Sequence, residues 1–348
     1  MTSNETVLAQ FGCGYWGPNL LRNFSAIPNS RVKYVVDSSP ERRSFVQANF
    51  PTTLAIDSID QALCDPAVNG VIIATPADTH FRLASQALLA GKHVFVEKPL
   101  ATKVTEVDEL DRLANARDLL VMAGHTFIYN TAVRYVKKLL DTGELGEIRY
   151  IYSQRLNLGR IRSDIDALWN FAPHDISIIQ YWLGDPMPLS VHRVGMDFIQ
   201  KGIDDVVFLS IVYPKKVVAN IHVSWLDPQK VRKIIIVGSR KMVVYDDVAE
   251  DKIAIYDKGI DKKAILGENM DFDHPNPNAF KYRNGDILIP QINFKEPLRL
   301  EAESFVEGMW NGRKSPTGIP HARNVVAILE QAKRRLGDAP DHDHNAGV

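Results

Sequence analysis

Three glycines near the amino terminus have the spacing of a dinucleotide-binding turn. The segment Val7–Gly12 has the apolar pattern of a strand, and the turn Gly12-x-Gly14-x-x-Gly17 leads into a helix pattern. Glycine is needed where the chain folds tightly and where its backbone approaches a pyrophosphate. The helix that follows offers unpaired N–H groups to the phosphates. The predicted cofactor contacts of this turn are Gly12, Gly14, Tyr15, Trp16 and Gly17.

A carboxylate ends the second predicted strand, Arg31–Asp37. At this place Asp37 would hold the adenosine ribose hydroxyls of NAD and repel the 2′-phosphate of NADP. Ser38 follows and is uncharged, whereas Arg42 and its neighbour Arg43 leave some use of NADP open. The sequence therefore predicts NAD as the cofactor, with contacts from Asp37, Ser38 and Arg42.

A lysine follows another predicted strand, His93–Glu97. Because the carboxyl ends of parallel strands meet at one rim, Thr75-Pro76 and Glu97-Lys98 are expected beside the glycine turn. A positive nicotinamide ring and partial burial would lower the pKa of Lys98 towards neutrality, so that it takes or relays a hydroxyl proton. An ordinary exposed lysine in a turn is the alternative interpretation. Glu97 is predicted to contact the cofactor ribose or carboxamide.

His174 and Asn170 are the second pair of catalytic candidates. His174 is predicted in a helix over Phe171–Leu183, from which its side chain projects towards the nicotinamide. Its reference pKa of about 6.5 suits proton exchange at neutral pH. Asn170 lies one helical turn earlier, where its amide can hydrogen-bond a sugar hydroxyl. A purely structural histidine is the alternative.

Arginines cluster before that helix. Arg155 and Asn157 share one face of the predicted strand Ile148–Leu158, and Arg160 and Arg162 follow in a loop. Guanidinium groups suit the bidentate grip of a diphosphate, although a solvated or salt-bridged basic loop fits the composition equally well. Aromatic and amide side chains that either face a sugar or pack in the core are Tyr129, Asn130, Trp169 and Tyr181.

The elements that must position these residues change in kind near residue 125. Before it, strand and helix patterns alternate in short βα units, which predicts a doubly wound parallel sheet. After the helix Thr131–Thr142, strand patterns follow one another with few helices, which favours an open, mostly antiparallel sheet of the α+β class. These strands are Ile148–Leu158, Pro188–Asp197, Val206–Tyr213, Lys216–Trp225, Val231–Val237 and Met242–Tyr245.

The predicted division is a dinucleotide-binding Rossmann domain over 1–125, a substrate-binding and oligomerisation domain over 126–338, and a disordered tail over 339–348. Ala264–Gln291 is predicted as a long irregular segment, and two helices, Leu300–Asn311 and Ala322–Leu336, close the second domain. The tail contains D-H-D-H, for which a solvated terminus is favoured over a metal site. No metal site is predicted.

The composition is that of a globular enzyme. The chain has 348 residues, of which 45% are hydrophobic and 24% charged, and a formal net charge of −1. Nothing in that balance suggests a nucleic-acid or membrane partner. The two cysteines, Cys13 and Cys64, form no disulfide framework, and with the polar amino terminus they suggest a cytoplasmic protein.

The combination and order of five motifs resemble the glucose-fructose oxidoreductase / inositol dehydrogenase (Gfo/Idh/MocA) family over nearly the whole chain. The motifs are the Gly12–Gly17 turn, A-T-P-A-D-T-H at Ala74–His80, G-K-H-V-F-V-E-K-P at Gly91–Pro99, A-P-H-D-I-S at Ala172–Ser177 and E-P-L-R-L-E at Glu296–Glu301. The resemblance implies an NAD-dependent oxidoreductase with Thr75, Pro76, His80, Glu97 and Lys98 at the cofactor. Position 170 commonly carries a carboxylate in this family, so Asn170 is a departure.

Within the family, W-N-F-A-P-H-D-I-S-I-I and S-W-L-D-P-Q-K-V-R most resemble the branch that acts on sugar nucleotides, such as UDP-sugar 3-dehydrogenases of surface-polysaccharide pathways. That implies a small nucleotide-sugar substrate held by Tyr129, Asn130, Arg155, Asn157, Arg160, Trp169, Asn170 and His174. Two alternatives stay open: a dehydrogenase of a free sugar or polyol such as inositol, and a non-catalytic dinucleotide-sensing regulator.

Assembly is predicted from the second sheet. The helices Phe171–Leu183 and Leu300–Asn311 are expected to shield one of its faces. The other face would carry the apolar alternate positions Val217, Ala219, Ile221 and Val223. An apolar face of that breadth on a monomer is a solubility liability, and burial against a second copy removes it. The sequence therefore predicts a homodimer or homotetramer.

Overall fold

A computed structural model describes residues 5–262, 280–312 and 315–333. Its first sheet has six parallel strands in the order β3-β2-β1-β4-β5-β6, which confirms the predicted Rossmann fold. The strands are β1 (Thr6–Phe11), β2 (Ser30–Val36), β3 (Leu54–Ile56), β4 (Gly70–Ile73), β5 (His93–Glu97) and β6 (Val121–Gly124). The helices between them are α1 (Gly17–Ser25), α2 (Pro40–Asn49), α3 (Ile59–Leu63), α4 (His80–Leu89) and α5 (Val104–Asn115).

The second sheet has eight strands in the order β14-β13-β12-β11-β7-β10-β9-β8. All neighbours are antiparallel except β7 and β10, which confirms the predicted mostly antiparallel class. The strands are β7 (Ile148–Leu156), β8 (Ser190–Met196), β9 (Val206–Tyr213), β10 (Val217–Ser224), β11 (Val231–Gly238), β12 (Met242–Asp246), β13 (Ile253–Lys262) and β14 (Phe280–Leu288). Two helices belong with it, α6 (Thr131–Asp141) and α7 (Ala167–Leu183).

The prediction of an irregular segment over Ala264–Gln291 is wrong for its second half. Residues 280–288 form β14, which pairs with β13 at the edge of the sheet. An edge strand has one unpaired side and tolerates the charged and glycine residues that concealed its pattern. Residues 264–279 of that segment lie outside the described ranges.

The last two helices, α8 (Pro297–Asn311) and α9 (Ile319–Gln331), return to the first sheet. The buried ring of Phe305 on α8 packs edge-on against Phe24 and Phe95, with centroids 6.0 and 5.8 Å away. The prediction that this helix shields the second sheet is therefore wrong, because its apolar side completes the Rossmann core. Since β6 ends at Gly124 but α8 and α9 contribute to the first core, the boundary near residue 125 stays a prediction.

The two faces of the second sheet are assigned the opposite way from the prediction. Val217, Ala219, Ile221 and Val223 are buried in one core with the apolar residues of α6 and α7. The opposite face exposes apolar side chains instead, among them Tyr150, Val194, Met196 and Phe208. The period-two alternation on β10 was read correctly, but alternation alone does not say which face a helix covers.

No helix within the described residues is both long and apolar enough to span a bilayer. The predicted tail over 339–348 and the last residues of the predicted helix Ala322–Leu336 lie outside the described ranges.

Candidate active site

The glycine turn joins β1 to α1 at the carboxyl end of the first sheet. Gly12 has a φ of +88°, and a Cβ there would lie 2.6 Å from the carbonyl oxygen of Ala74. A Cβ on Gly17 would lie 2.9 Å from the Gly12 carbonyl oxygen, whereas one on Gly14 would meet nothing within 4 Å. Gly12 and Gly17 thus permit the turn, and the open space at Gly14 fits a pyrophosphate at the start of α1. Tyr15, which is 89% exposed, and Trp16 flank that space.

Asp37 stands at the mouth of this turn. Its carboxylate accepts hydrogen bonds from the backbone N–H groups of Cys13, at 2.7 Å, and Ser39, at 2.9 Å. The Arg43 guanidinium donates to the carbonyl oxygens of Asp37 and Ser38, at 2.8 and 3.0 Å. The carboxylate is therefore held in one place and Arg43 is committed to the backbone, while Arg42 points into solvent. This arrangement suits ribose hydroxyls better than a phosphate.

His80 connects the loops that follow β4 and β5. Its Nδ1 lies 2.8 Å from the Pro99 carbonyl oxygen and its Nε2 lies 2.9 Å from that of Thr75. The side chain is buried, and burial lowers its pKa. His80 therefore lies beneath the rim, a position that fits a support for the loops better than the predicted contact with a cofactor. Thr75 and the exposed Pro76 remain on the rim itself.

Lys98 follows β5 and brings the first sheet into contact with α7. Its Nζ donates a hydrogen bond to the backbone carbonyl oxygen of Asn170 at 3.1 Å. Burial lowers the pKa of the Lys98 ammonium to about 8, and the positive charges of Arg155 and Arg162 act in the same direction against the opposing effect of Glu97. A substantial fraction of Lys98 is therefore neutral near physiological pH, as a proton acceptor must be.

Helix α7 begins at Ala167, before the predicted start at Phe171. The Asp166 side chain caps it by accepting from the Trp169 N–H at 2.9 Å. Pro173 lies inside the helix, where it has no N–H to donate to the Trp169 carbonyl. In the structure Asn170 faces Lys98 through its backbone oxygen, a contact that does not depend on the amide of its side chain.

His174 lies one turn after Asn170 and is neutral. Burial lowers its pKa well below the usual value, and the charges of Lys98 and Arg155 act in the same direction. The ring of Phe127 packs edge-on against it, with centroids 5.1 Å apart. The expectation that His174 titrates near its reference pKa is therefore wrong, and the imidazole is neutral at physiological pH.

Two buried carboxyl groups lie behind Lys98. Burial raises the pKa of Glu97 to about 7, against the opposing effects of the Lys98 charge and backbone N–H. Glu301 on α8 is fully buried and accepts from the Thr126 hydroxyl at 2.7 Å. Burial, and then the charge of Glu97, raise the pKa of Glu301 well above its usual value. Glu301 is therefore held in a setting that favours its protonated form.

Two predicted sugar contacts lie in the interior instead. Tyr129 is fully buried, and its hydroxyl lies 3.1 Å from the Ser315 oxygen and 3.2 Å from that of Thr317. Asn130 is buried and caps α6 by accepting from the Ala132 N–H at 2.9 Å. Neither position fits the predicted contact with a sugar, because each side chain already satisfies local polar groups.

The predicted arginine cluster is divided. Arg155 is buried and forms an ion pair with Asp175, at 2.6 Å, while its guanidinium stacks on Phe127. Arg162 pairs with Asp164, also at 2.6 Å, and Arg160 is exposed in the same loop. The loop therefore offers Arg160 and Arg162 to a ligand, whereas Arg155 is committed to the protein. Asn157 approaches Gly159 on that loop, and Trp169 is partly buried beneath the Lys333 ammonium, 5.2 Å from its ring.

His125 is a further residue at this rim and was not among the predicted site residues. It follows Gly124, which pairs with Glu97 between β6 and β5, so His125 lies level with Lys98 at the sheet rim. Burial, and then the charges of His321 and Lys98, lower its pKa well below the usual value. A histidine just after a parallel strand was the available signal, but it fell on the predicted domain boundary.

The chain matches known proteins along most of its length. The oxidoreductase family with an NAD-binding Rossmann fold, GFO_IDH_MocA, matches residues 8–125, and the GFO/IDH/MocA C-terminal domain matches residues 133–244. Residues 8–125 are thus an NAD-binding domain with the Rossmann fold. The protein belongs to the GFO/IDH/MocA oxidoreductase family.

Several similar proteins have a named activity or pathway. UDP-N-acetylglucosamine 3-dehydrogenase of Acidithiobacillus ferrooxidans is 32% identical over 186 residues, which are 53% of this chain and 56% of the relative. A crystal structure of that enzyme has a TM-score of 0.76 at 24% identity and covers 94% of this chain and 96% of its own. The NADP-dependent scyllo-inositol 2-dehydrogenase IolW of Bacillus subtilis is 28% identical over 156 residues, 44% of this chain and 43% of the relative.

A further structure, GenD2 from gentamicin A biosynthesis in complex with NAD, has a TM-score of 0.79 at 22% identity and covers 96% of this chain and 95% of its own. At such identities the structures share the fold. By sequence, the chain spans about half the length of the two curated relatives, 56% and 43%.

The glycine turn yields a matched pair of substitutions. We expect Gly12→Ala to lower the free energy of unfolding by about 1–3 kcal/mol, because it combines a positive φ with a clash against the Ala74 carbonyl oxygen. Gly14→Ala adds its methyl group in open space, so the folding stability should stay near that of the wild type while NAD binding weakens. Thermal unfolding and NAD titration of both variants measure this, and equal unfolding temperatures would contradict it.

Proposed function

We propose that the protein is an NAD-dependent dehydrogenase in which Lys98 handles the proton of a secondary alcohol on a sugar. The observation that carries this proposal is the Lys98 side chain between the end of β5 and α7, which donates a hydrogen bond to the Asn170 carbonyl oxygen and has its pKa lowered to about 8. A lysine in this state accepts a proton near neutral pH, and the nearby glycine turn and Asp37 suit a dinucleotide.

The charge states of Lys98 and His174 determine their proposed roles. Bound NAD supplies the hydride acceptor. Neutral Lys98 accepts the hydroxyl proton from the alcohol and becomes an ammonium that the Asn170 carbonyl and Glu97 stabilise. Neutral His174 hydrogen-bonds the same oxygen and orients the carbon–hydrogen bond. In the reverse direction the Lys98 ammonium returns the proton to the alkoxide formed from a ketone.

A nucleotide-linked sugar, oxidised at C3, is the substrate class that we favour. The similarity to UDP-N-acetylglucosamine 3-dehydrogenase supports it, and Arg160 and Arg162 in the loop before α7 suit a diphosphate. The likeness to scyllo-inositol 2-dehydrogenase keeps a free polyol as the second candidate. Lys98 and His174 together count against a non-catalytic dinucleotide sensor, which would need neither.

The test is NADH formation, followed by absorbance, across UDP-sugars, other nucleotide sugars, free sugars and inositols. We expect the highest kcat/KM with a UDP-sugar, and a preference for free inositols would favour the second candidate. NAD binding with no turnover on any member of the panel would favour the dinucleotide sensor.

Lys98→Ala and His174→Ala should each lower kcat on the order of 10²–10⁴-fold while NAD affinity and unfolding temperature stay nearly unchanged. Since the pKa of Lys98 is lowered to about 8, the neutral form gains as pH rises, and wild-type alcohol oxidation should increase up to that pH. Lys98→Ala should lose this dependence. The exposed Lys103→Ala is the matched lysine control and should behave as the wild type. Normal turnover in both active-site variants would show that the chemistry occurs elsewhere.

The cofactor preference follows from Asp37. We expect the dissociation constant for NAD to be roughly tenfold to a hundredfold lower than that for NADP, because a carboxylate that accepts from ribose hydroxyls repels a 2′-phosphate. Asp37→Asn should narrow that ratio. Asp57→Asn is the control, since Asp57 is exposed and lies 3.9 Å from the Arg43 guanidinium without a hydrogen bond to it. Tighter binding of NADP by the wild type would overturn the assignment.

We also propose that the protein forms a homodimer or homotetramer through the open face of the second sheet. Phe208, 50% exposed, stacks on His222 there with ring centroids 4.1 Å apart, and Val194 and Met196 are exposed on the neighbouring strand. Burial of these side chains against a second copy would remove them from water.

Light scattering should therefore give a mass of at least twice the 39.1 kDa chain. Phe208→Glu should shift the protein towards monomer, because a charge would be buried in the interface. Leu89→Glu places the same charge on an exposed leucine of α4 and should leave the mass unchanged. A concentration-independent monomer mass in the wild type would refute the assembly.

A further inference from the structure

Asp185, His321 and Ser177 form a hydrogen-bonded chain behind the candidate active site. The Nδ1 of His321 lies 2.6 Å from the Asp185 Oδ1, and its Nε2 lies 3.2 Å from the Ser177 hydroxyl oxygen. A carboxylate oxygen accepts, so Nδ1 of His321 is the donor to Asp185 in this arrangement. The two hydrogen bonds therefore fix the orientation of the His321 ring.

The same three residue types form the triads of acyl-transfer enzymes, in which the serine attacks a carbonyl. Here Ser177 is 1% exposed and lies within helix α7, so that no substrate carbonyl reaches its hydroxyl. The arrangement is suited to holding elements together and not to nucleophilic attack.

His321 connects α9, on which it lies, with α7 and with the segment after β6. Ser177 lies on α7 one turn after His174, and Asp185 follows the glycine that ends α7. The edge of the His321 ring also packs against His125, with centroids 5.4 Å apart and an interplanar angle of 82°. One buried side chain thus contacts both the helix that carries His174 and the strand end beside Lys98.

The segment after β6 contacts both His321 and His174. His125 contacts His321, and Phe127, two residues further, packs edge-on against His174. The Nδ1 of His125 is buried and has no hydrogen-bond partner within the described part of the chain, so this nitrogen does not hold the ring. Loss of His321 would therefore remove a contact that α7 and the end of β6 share.

We propose that His321 is a positioning residue, whose bonds to Asp185 and Ser177 hold α7 where the Asn170 carbonyl and His174 meet Lys98. The role in turnover rests on the proposed dehydrogenase function, whereas the hold on Lys98 does not. His321→Leu removes both hydrogen bonds at similar volume, and His321→Asn keeps an N–H for Asp185. Arg323→Gln, which breaks a surface ion pair on the same helix, is the matched control.

The decisive measurement needs no substrate. Reaction of Lys98 with trinitrobenzenesulfonate, followed against pH by peptide mapping, reports the pKa of its amine. We expect about 8 in the wild type and in Arg323→Gln. In His321→Leu the pKa of Lys98 should rise by about one pH unit. Without the two hydrogen bonds of His321, α7 moves away from the rim and admits water to the ammonium. His321→Asn should lie between the two.

Turnover provides the second arm. With the sugar from the panel that reacts fastest, His321→Leu should lower kcat about tenfold with little change in KM or in NAD affinity, and His321→Asn should recover part of the loss. A wild-type Lys98 titration in His321→Leu overturns the positioning role whether or not any sugar is oxidised. Absence of turnover in the wild type counts against the proposed function alone. Should His321→Leu fail to fold, Asp185→Asn removes the charge that orients the ring and must produce the same upward change.

Discussion

The arrangement of the site depends on one buried ammonium with a backbone carbonyl as its acceptor. Burial lowers the pKa of the Lys98 ammonium to about 8 against the opposing charge of Glu97, and the charges of Arg155 and Arg162 act in the same direction as burial. The Asn170 carbonyl oxygen accepts from the ammonium but carries no full negative charge. That balance holds only while α7 stays against the rim of the first sheet. The position of α7 against this rim therefore affects the pKa of Lys98 as well as the packing of the fold.

The surroundings of Lys98 hold His174 in a single charge state. Arg155 is paired with Asp175 in a buried ion pair and stacks on Phe127, which in turn packs on His174. Burial, together with the charges of Lys98 and Arg155, lowers the pKa of the histidine well below its usual value. Lys98 therefore changes charge without a compensating change at His174, whereas Glu97, with its pKa raised to about 7, titrates in the same range.

The sequence predicted the parts of this structure that depend on local pattern. The glycine turn, the doubly wound parallel sheet and the place of Lys98 beyond β5 all follow from spacing, because parallel strands end at one rim. Properties that depend on tertiary packing were not predictable in the same way. Asn170 acts through its backbone, which any residue type supplies, and Tyr129 was assigned to a sugar although its ring fills the core. Alternation on β10 gave two faces without saying which of them α7 covers.

Residues from the far end of the chain complete the site, and no local pattern reveals that. Helix α8 returns to the first sheet because Phe305 fills a space between Phe24 and Phe95, and the same turn of helix buries Glu301 behind Glu97. Helix α9 follows and places His321 between α7 and the end of β6. The apolar contacts that hold α8 and α9 also fix where Glu301 and His321 lie, since each side chain is carried by a helix that packs in the core. The packing of the two carboxyl-terminal helices thus places Glu301 beside Glu97 and His321 beside His125, and both Glu97 and His125 interact electrostatically with Lys98.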